Sequence, residues 1–256
     1  MKIKLDATKT LEKNAEIFFE KSKKAKKKLE GAREALAKSL KKLEQAEKEA
    51  FVRIEEKPKA ERKKRWYEKF RWFYSSEGFL CIGGRDAASN EIAIKKHAEK
   101  EDLVFHSEMA GSPFFIVKTK GKKPGEATLN EAAQATASYS RAWKAGISVA
   151  DIFFVSPEQV TKEAKPGEFV PRGAFMIYGK KNHLTAELKL AIGLKNGNVI
   201  GGPVDAIASQ TDNFMIVSQG SEKASDAAKQ IKKKLGGGEI DDIIRFLPSG
   251  GVKLER

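Results

Sequence analysis

The chain has 256 residues, enough for one or two domains and for a sizeable core. It contains no run of about 18 apolar residues, and pieces such as Ile152-Phe153-Phe154-Val155 are among its longest, so a membrane-spanning helix is excluded. The start, Met1-Lys2-Ile3-Lys4-Leu5-Asp6, has no apolar segment or cleavage site of a secretory signal. Cys81 has no second cysteine to pair with, and His97, His106 and His183 are too few for a usual structural zinc site. These features predict a cytoplasmic protein without a cofactor.

Charge gives the first positive indication. Forty-nine basic against 35 acidic residues leave a formal charge of +14, and positions 1–70 hold 23 basic and 13 acidic residues. Such a field attracts polyanions, of which RNA is the commonest in a cytoplasm, although a lysine-rich solvated helix has the same composition.

Residues 10–56 predict one long helix rich in Lys, Glu, Ala and Leu. A heptad count places Leu11, Ala15, Phe18, Ser22, Ala25, Leu29, Ala32, Leu36, Ser39, Leu43, Ala46 and Ala50 on one narrow seam that needs a partner helix. Gly31 marks either a kink or the turn of a helical hairpin. After Pro58 comes a basic stretch of Lys57, Lys59, Arg62, Lys63, Lys64 and Arg65, running into Trp66-Tyr67-Glu68-Lys69-Phe70-Arg71-Trp72-Phe73. Interleaved cations and aromatics suit phosphate neutralisation with base stacking, while the spacing of Trp66, Phe70 and Phe73 equally suits one buried helical face.

Beyond this point the pattern becomes α+β. Strands are predicted over Arg71–Ser75, Phe79–Ile82, Leu103–His106, Phe114–Lys118, Ile152–Val155, Ala174–Tyr178, Leu188–Leu194 and Phe214–Val217. Ser76-Glu77-Gly78 joins the first two as a hairpin. Helices are predicted over Ala88–Lys100, Leu129–Ala145 and Ala224–Leu235, with Asn90, Thr128 and Ser221 as caps, and Ile243–Gly251 as a helix end entering a turn. The expected architecture is a mixed β-sheet domain with flanking helices, preceded by a helical coiled-coil segment. Its expected divisions are 1–58, 59–185 and a C-terminal extension over 186–256 that completes the same domain.

Common catalytic signatures are absent: no phosphate-binding P-loop, dinucleotide fingerprint, His-Glu-x-x-His pair or Gly-x-Ser-x-Gly elbow occurs. In Gly83-Gly84-Arg85-Asp86-Ala87-Ala88-Ser89-Asn90-Glu91 the glycines permit close backbone approach, a helix start favours an anion and Arg85 suits a phosphate. The same residues also fit helix capping with Arg85 and Asp86 paired. His106 and Glu108 share a face of an extended segment, as acid-base or metal-binding groups would, but a structural histidine fits as well. Cys81 is expected in the core.

Four motifs in order resemble the NFACT family: Trp66–Phe73; Gly83–Ala87 with Asn90-Glu91; Ser140-Arg141-Ala142-Trp143-Lys144; and Gly173–Ile177 with Gly179-Lys180-Lys181-Asn182. The resemblance is to the family's C-terminal RNA-binding module in its archaeal-like form, and it continues through Gly201-Gly202-Pro203 to Leu247-Pro248-Ser249-Gly250. Residues 1–56 resemble the coiled-coil middle segment. Nothing resembles the family's N-terminal domain or helix-hairpin-helix region, so a truncated chain or a naturally split or shortened member is expected. Where the family shows a His-Ala-Asp-like triplet, this chain has His106-Ser107-Glu108.

The resemblance implies a ribosome-associated quality-control factor that binds rather than catalyses. It would recognise large ribosomal subunits carrying peptidyl-tRNA after a stall and support tRNA recruitment for nascent-chain tailing, with peptide-bond chemistry left to the ribosome. Implied partners are ribosomal RNA or tRNA, the large subunit and a protein reached through the coiled coil. On that reading Arg71, Arg85, Lys95, Lys96, Lys118, Arg141, Lys144, Lys180 and Lys181 contact RNA phosphates, and Trp143 either stacks on RNA or packs in the core. Three alternatives are a metal-dependent RNA phosphodiesterase or nuclease using Asp86, Glu91, His106 and Glu108, a surface fibronectin-binding adhesin, and a scaffold that dimerises through the coiled coil.

Overall fold

The computed structural model describes residues 4–55, 65–109, 111–163 and 169–255, without the side chains of 45–55. The expected basic stretch at Lys57, Lys59 and Arg62–Lys64 and the break at Pro58 lie outside the described residues, as do the seam side chains of Ala46 and Ala50. The chain divides into two compact units, residues 1–63 and 64–256.

The first unit is built on α1 (Leu11–Glu55), one continuous helix of 45 residues, roughly 68 Å long at the α-helical rise. Gly31 lies inside it, so no hairpin turn forms there: a single glycine costs about 1 kcal/mol against alanine, and the surrounding Ala, Leu, Lys and Glu carry the helix across it. Its start is pinned by Asn14, a buried side chain that accepts from the Asp6 amide at 2.8 Å and donates to the carbonyls of Asp6, Lys9 and Thr10. Phe18, Leu29, Leu36 and Leu43 of the seam are exposed.

The second unit begins with a 3-10 turn, Trp66–Lys69, and then β1 (Arg71–Tyr74). The aromatic run is therefore not one helical face. Phe70 and Phe73 are buried in different clusters and Trp66 remains 47% exposed, because the chain turns extended after Phe70 and successive side chains alternate between faces.

Next come β2 (Leu80–Gly83), α2 (Ala87–Ile92) continuing as a π-turn (Ala93–His97), β3 (Leu103–Ser107), β4 (Phe115–Lys118), α3 (Glu126–Ser138), α4 (Arg141–Lys144) and β5 (Val149–Val155). A short ribbon pairs β6 (Val160–Thr161) with β7 (Met176–Ile177), and β8 (Asn182–Glu187) completes a six-stranded sheet of order β1-β2-β4-β3-β5-β8. A second sheet, β10-β9-β11-β12, uses Leu190–Lys195 (β9), Asn198–Gly202 (β10), Phe214–Glu222 (β11) and Val252–Glu255 (β12). Its helices are α5 (Val204–Ala208), α6 (Ala224–Leu235) and α7 (Ile240–Phe246).

The α+β class holds, but every strand pairing among the described residues is antiparallel, unlike the expected mixed sheet. The reason is an interleaving of two β-α-β units. β2 and β3 run parallel through α2 but admit β4 between them, and β4 and β5 run parallel through α3 but admit β3.

Strand alternation explains why the six-stranded sheet is covered on both faces. Phe115 and Val117 of β4, with Cys81, Phe105 and Ile152, face the alanines of α3, whereas Ile116, with Ile82, Val104 and Phe153, faces the π-turn and Tyr67. Ala132, Ala133, Ala135 and Ala137 let α3 sit close between the sheet and β9, and Cys81 is the small core residue expected.

The Ser76–Gly78 turn forms the expected β1–β2 hairpin, with Gly78 at φ 85°. Glu77 in this turn caps α3, accepting from the amides of Gly125 and Thr128 and from the Thr128 hydroxyl. The cap is thus a distant glutamate, where Thr128 was expected.

The other two expected caps also move. Asp86 caps α2, with Asn90 inside that helix, and Lys223 rather than Ser221 precedes α6. The predicted helix 129–145 breaks at Tyr139, because the Ser140 hydroxyl accepts from the Ala142 amide and starts a new turn, and the predicted helix 88–100 ends in the π-turn. The polar strand β8, the glycine-bearing β10, the short β6 and the terminal β12 were not expected.

Candidate functional site

The end of β2 and the start of α2 are shaped by two glycines. A side chain at Gly83 would run into the Phe115 ring, and one at Gly84 would run into Asn90, whose Oδ1 accepts from the Phe114 amide at 3.1 Å. The Asp86 carboxylate accepts from the Ser89 amide at 2.8 Å, and the Ser89 hydroxyl accepts from the amides of Arg85 and Asp86. This capping, led by the Ser89 bonds, holds the Asp86 carboxyl below its ordinary range. The helix start is therefore closed by its own aspartate, so the expected anion at its amides gives way to the arginines beside it.

Arg85 faces a cleft of about 570 Å³, whose walls include Arg141, Arg172, Tyr139, Asn90, His106 and Phe175. Gly173, at φ 79°, brings the 171–175 segment against Ala87 where a Cβ has no room, which places Arg172 and Phe175 on the cleft wall. Arg141 opens α4 and lies across Gly111, where a Cβ would meet its guanidinium stem.

Arg71 stacks over the Tyr139 ring at 4.0 Å and donates to the Leu247 carbonyl, while the Tyr139 hydroxyl donates to the Phe246 carbonyl at 2.8 Å. Arg85 donates to the Phe70 carbonyl at 3.1 Å. Its guanidinium is held below its ordinary pKa, first by burial and then by Arg71 and Arg245. Burial likewise lowers Arg71. No ion pair within 4.0 Å joins Arg71, Arg85, Arg141 or Arg172 to a carboxylate among the described residues. Asp86 lines the same cleft and partly offsets Arg85 and Arg172 without a close ion pair; three guanidinium groups against one carboxylate still leave an excess of positive charge that a bound anion relieves.

His106 lies on the same cleft, stacked face to face on Phe114 with ring centroids 3.8 Å apart. Its Nδ1 is 3.0 Å from the Pro113 carbonyl, which only accepts, so Nδ1 carries the proton and Nε2 is an acceptor. Burial lowers its pKa to about 4, with the Pro113 bond and Glu108 opposing and Lys181 assisting the shift. The native state therefore keeps it neutral while the unfolded chain protonates near pH 6.5. Its contribution to stability is present above pH 6.5 and is lost as pH falls towards 4. We expect this group to remove roughly 2 kcal/mol of stability between pH 7 and pH 5. Urea titrations at the two pH values check this, and His106→Phe should flatten the dependence.

The expected contacts separate into groups. Arg85 and Arg141 share the cleft and Arg71 lies behind it. Lys144 is exposed one turn along α4. Lys95 and Lys96 lie on the π-turn, where Lys95 pairs with Glu91 at 2.6 Å beside a second depression shared with Lys162 and Arg172. Lys180 is exposed before β8, and Lys181 pairs with Glu108 at 2.6 Å while lying over the Phe153 ring.

One expectation is corrected, and one open alternative is decided. Lys118 is 7% exposed and its ammonium is held by Asp102, Glu99 and the His97 carbonyl, since a buried strand position demands a counter-charge. Trp143 is buried and donates from its indole to the Gly251 carbonyl at 2.9 Å, so it packs rather than stacks. The residues of the nuclease alternative are similarly committed. Asp86 caps α2, Glu91 pairs with Lys95, Glu108 pairs with Lys181, and no group of three metal-ligating side chains occurs among the described residues.

Sequence reasoning missed Arg172, Arg245, Tyr139 and Phe175. Arg172 and Phe175 flank a glycine within a recognised motif, which was the available signal. Nothing local in the sequence marks Arg245.

The cleft walls fall within residues 69–179, which match the family description "NFACT protein RNA binding domain". The chain belongs to the NFACT family. It is 38% identical over 205 residues to the archaeal Rqc2 homolog aRqcH of Methanocaldococcus jannaschii, covering 77% of this chain and 30% of that one. It is 36% identical over 174 residues to the ribosome quality control complex subunit NEMF of Homo sapiens, covering 67% of this chain and 16% of that one. The NFACT chain thus spans less than a third of the length of either relative. The C-terminal structure of the fibronectin/fibrinogen-binding protein from Streptococcus suis aligns over 51% of this chain and 50% of that one, at 17% identity and a TM-score of 0.40. No helix among the described residues is long and apolar enough to cross a membrane.

Proposed function

We propose that this chain is an RNA-binding part of a cytoplasmic ribosome quality-control factor, and that the arginine cleft is its RNA contact. The observation that carries the reading is the convergence of Arg85, Arg141 and Arg172 on one cleft without carboxylate ion pairs, inside residues that match an RNA-binding domain. Guanidinium groups in that setting suit phosphate oxygens, which accept two hydrogen bonds from one fork. Arg71 backs the cleft, and Lys144, Lys180, Lys181, Lys95 and Lys96 add positive potential around it.

In this proposal the bound particle is a large ribosomal subunit that still holds peptidyl-tRNA after a stall. The chain acts by binding and supports tRNA recruitment for tailing of the nascent chain, while peptide-bond formation stays with the ribosome. The long helix of the first unit reaches a protein partner through its exposed leucines. Support comes from the family membership and from the ribosome quality-control names of the relatives.

The test is co-sedimentation with isolated large subunits, with and without peptidyl-tRNA, across a salt series. Saturable binding is expected, tighter when peptidyl-tRNA is present and falling linearly in logarithmic affinity against logarithmic salt. Equal association with any RNA at low salt and none at physiological salt would defeat the ribosome-specific part.

A further inference from the structure

The shape and lining of the arginine cleft say more than that RNA binds. Its volume of about 570 Å³ falls in the ordinary range of small-ligand pockets, whereas duplex phosphates lie on a convex surface and do not enter a recess. Its charged lining is Arg85, Arg141 and Arg172 with the single carboxylate of Asp86, which is engaged in capping α2, and its other lining includes Phe175 and the His106 ring.

Two polar groups on this lining lack protein partners. Asn90 is only 9% exposed; its Oδ1 accepts from the Phe114 amide, and its Nδ2 has no hydrogen bond among the described residues. Nε2 of His106 is an acceptor, again without a bond, because Nδ1 is engaged by Pro113. Among the described residues the buried polar atoms without a partner are His97 Nε2 and Glu131 Oε1, so Asn90 Nδ2 and His106 Nε2 meet solvent in the cleft and are open to a ligand that accepts from the first or donates to the second. One face of the His106 ring is covered by Phe114, and the Lys162 ammonium lies over the Phe175 ring at 4.7 Å, so each ring offers a base its remaining face or its edge. The set therefore combines cations for a phosphate, ring surface for a base, and one donor with one acceptor for base or ribose edges.

We infer that the cleft holds one unpaired nucleotide of the bound RNA, with its phosphate on Arg85, Arg141 and Arg172 and its base or sugar against Phe175, His106 and Asn90. The inference rests on the RNA reading above and narrows it from RNA in general to a single-stranded, splayed-out position. Stacking on aromatic and guanidinium planes is available only to an unstacked base, which is the source of the discrimination.

The test uses the whole chain and two probes, a six-nucleotide single-stranded RNA and the same sequence as a blunt duplex, at one fixed low salt concentration. The single strand is expected to bind at least about tenfold tighter, since one stacked base contributes that much or more. Arg172→Gln, an exposed substitution, and Phe175→Ala should each weaken single-strand binding by roughly tenfold and change duplex binding less than about twofold. If Phe175→Ala lowers the melting temperature, Arg172→Gln decides alone.

Equal affinity for the two probes, or parallel losses on both, would overturn the unpaired-nucleotide assignment while leaving general RNA binding intact. No binding of either probe or of large subunits would overturn both readings.

Discussion

Asp102→Ala should lower the unfolding free energy of the second unit by roughly 3–5 kcal/mol. Asp102 is 1% exposed and accepts from Lys118 at 2.5 Å, from the Glu99 amide at 2.8 Å and from the Thr119 amide at 3.0 Å. Removing it strands the Lys118 ammonium, 7% exposed, with the outward-lying Glu99 carboxylate and the His97 carbonyl as its remaining partners. A buried charge deprived of its closest counter-charge loses far more than the pair contributes net. Lys118→Met added to Asp102→Ala should therefore recover part of the loss, although the two backbone amides stay unsatisfied. All three tryptophans, Trp66, Trp72 and Trp143, lie in the second unit, so urea denaturation followed by tryptophan fluorescence reads this unit selectively. A loss below about 1 kcal/mol would mean that water enters the site and Lys118 is not held as described.

Arg85→Glu combined with Arg141→Glu should weaken large-subunit and RNA binding by roughly a hundredfold or more, since each charged hydrogen bond contributes about 1.5–3 kcal/mol. The slope of logarithmic affinity against logarithmic salt should fall by about two. Reversing two exposed lysines of α1, Lys24 and Lys28, should cost less than about threefold, because such charges are hydrated and screened. Stability distinguishes the cleft from an ordinary structural site. Arg71 and Arg245 raise the electrostatic cost of Arg85, so the cleft variant should melt close to the parent, with the relieved repulsion offsetting the lost bond to the Phe70 carbonyl. Equal losses of affinity from the two pairs would show that attraction is spread over the whole surface.

Much of the local structure was legible because it obeys local rules. The β1–β2 hairpin, the strands around Phe105, Ile116 and Phe153 and the amphipathic helix α6 follow from alternation, turn residues and a 3.6-residue period. Helix ends were legible only in part. Glu77 caps α3 from 48 residues away at Gly125, and no window of sequence contains both ends of such a bond. β8 and β10 were missed because Asn and Glu in β8 and Asn and two glycines in β10 disfavour a strand, and pairing with β5 and β9 supplies what the side chains do not.

The candidate site shows the same division. Arg85 and Arg141 stand in recognisable motifs, but that they share one cleft with Arg172 depends on the close approach permitted at Gly173 and Gly111. Lys118 was expected on RNA and Trp143 was left between stacking and core packing, and both are buried, since residue type gives chemistry but not address.

The family, the α+β class, the long basic helix and the excess of positive charge were readable from the residues alone, because all of them depend on composition, periodicity and motif order. The unbroken passage of the helix through Gly31, the antiparallel sheets among the described residues, and which cations lack a close ion pair emerge only in the folded chain. Those outcomes depend on helix cooperativity, on β4 and β3 slipping between strands that would otherwise pair in parallel, and on burial, and none of these is a property of a residue taken with its neighbours in sequence.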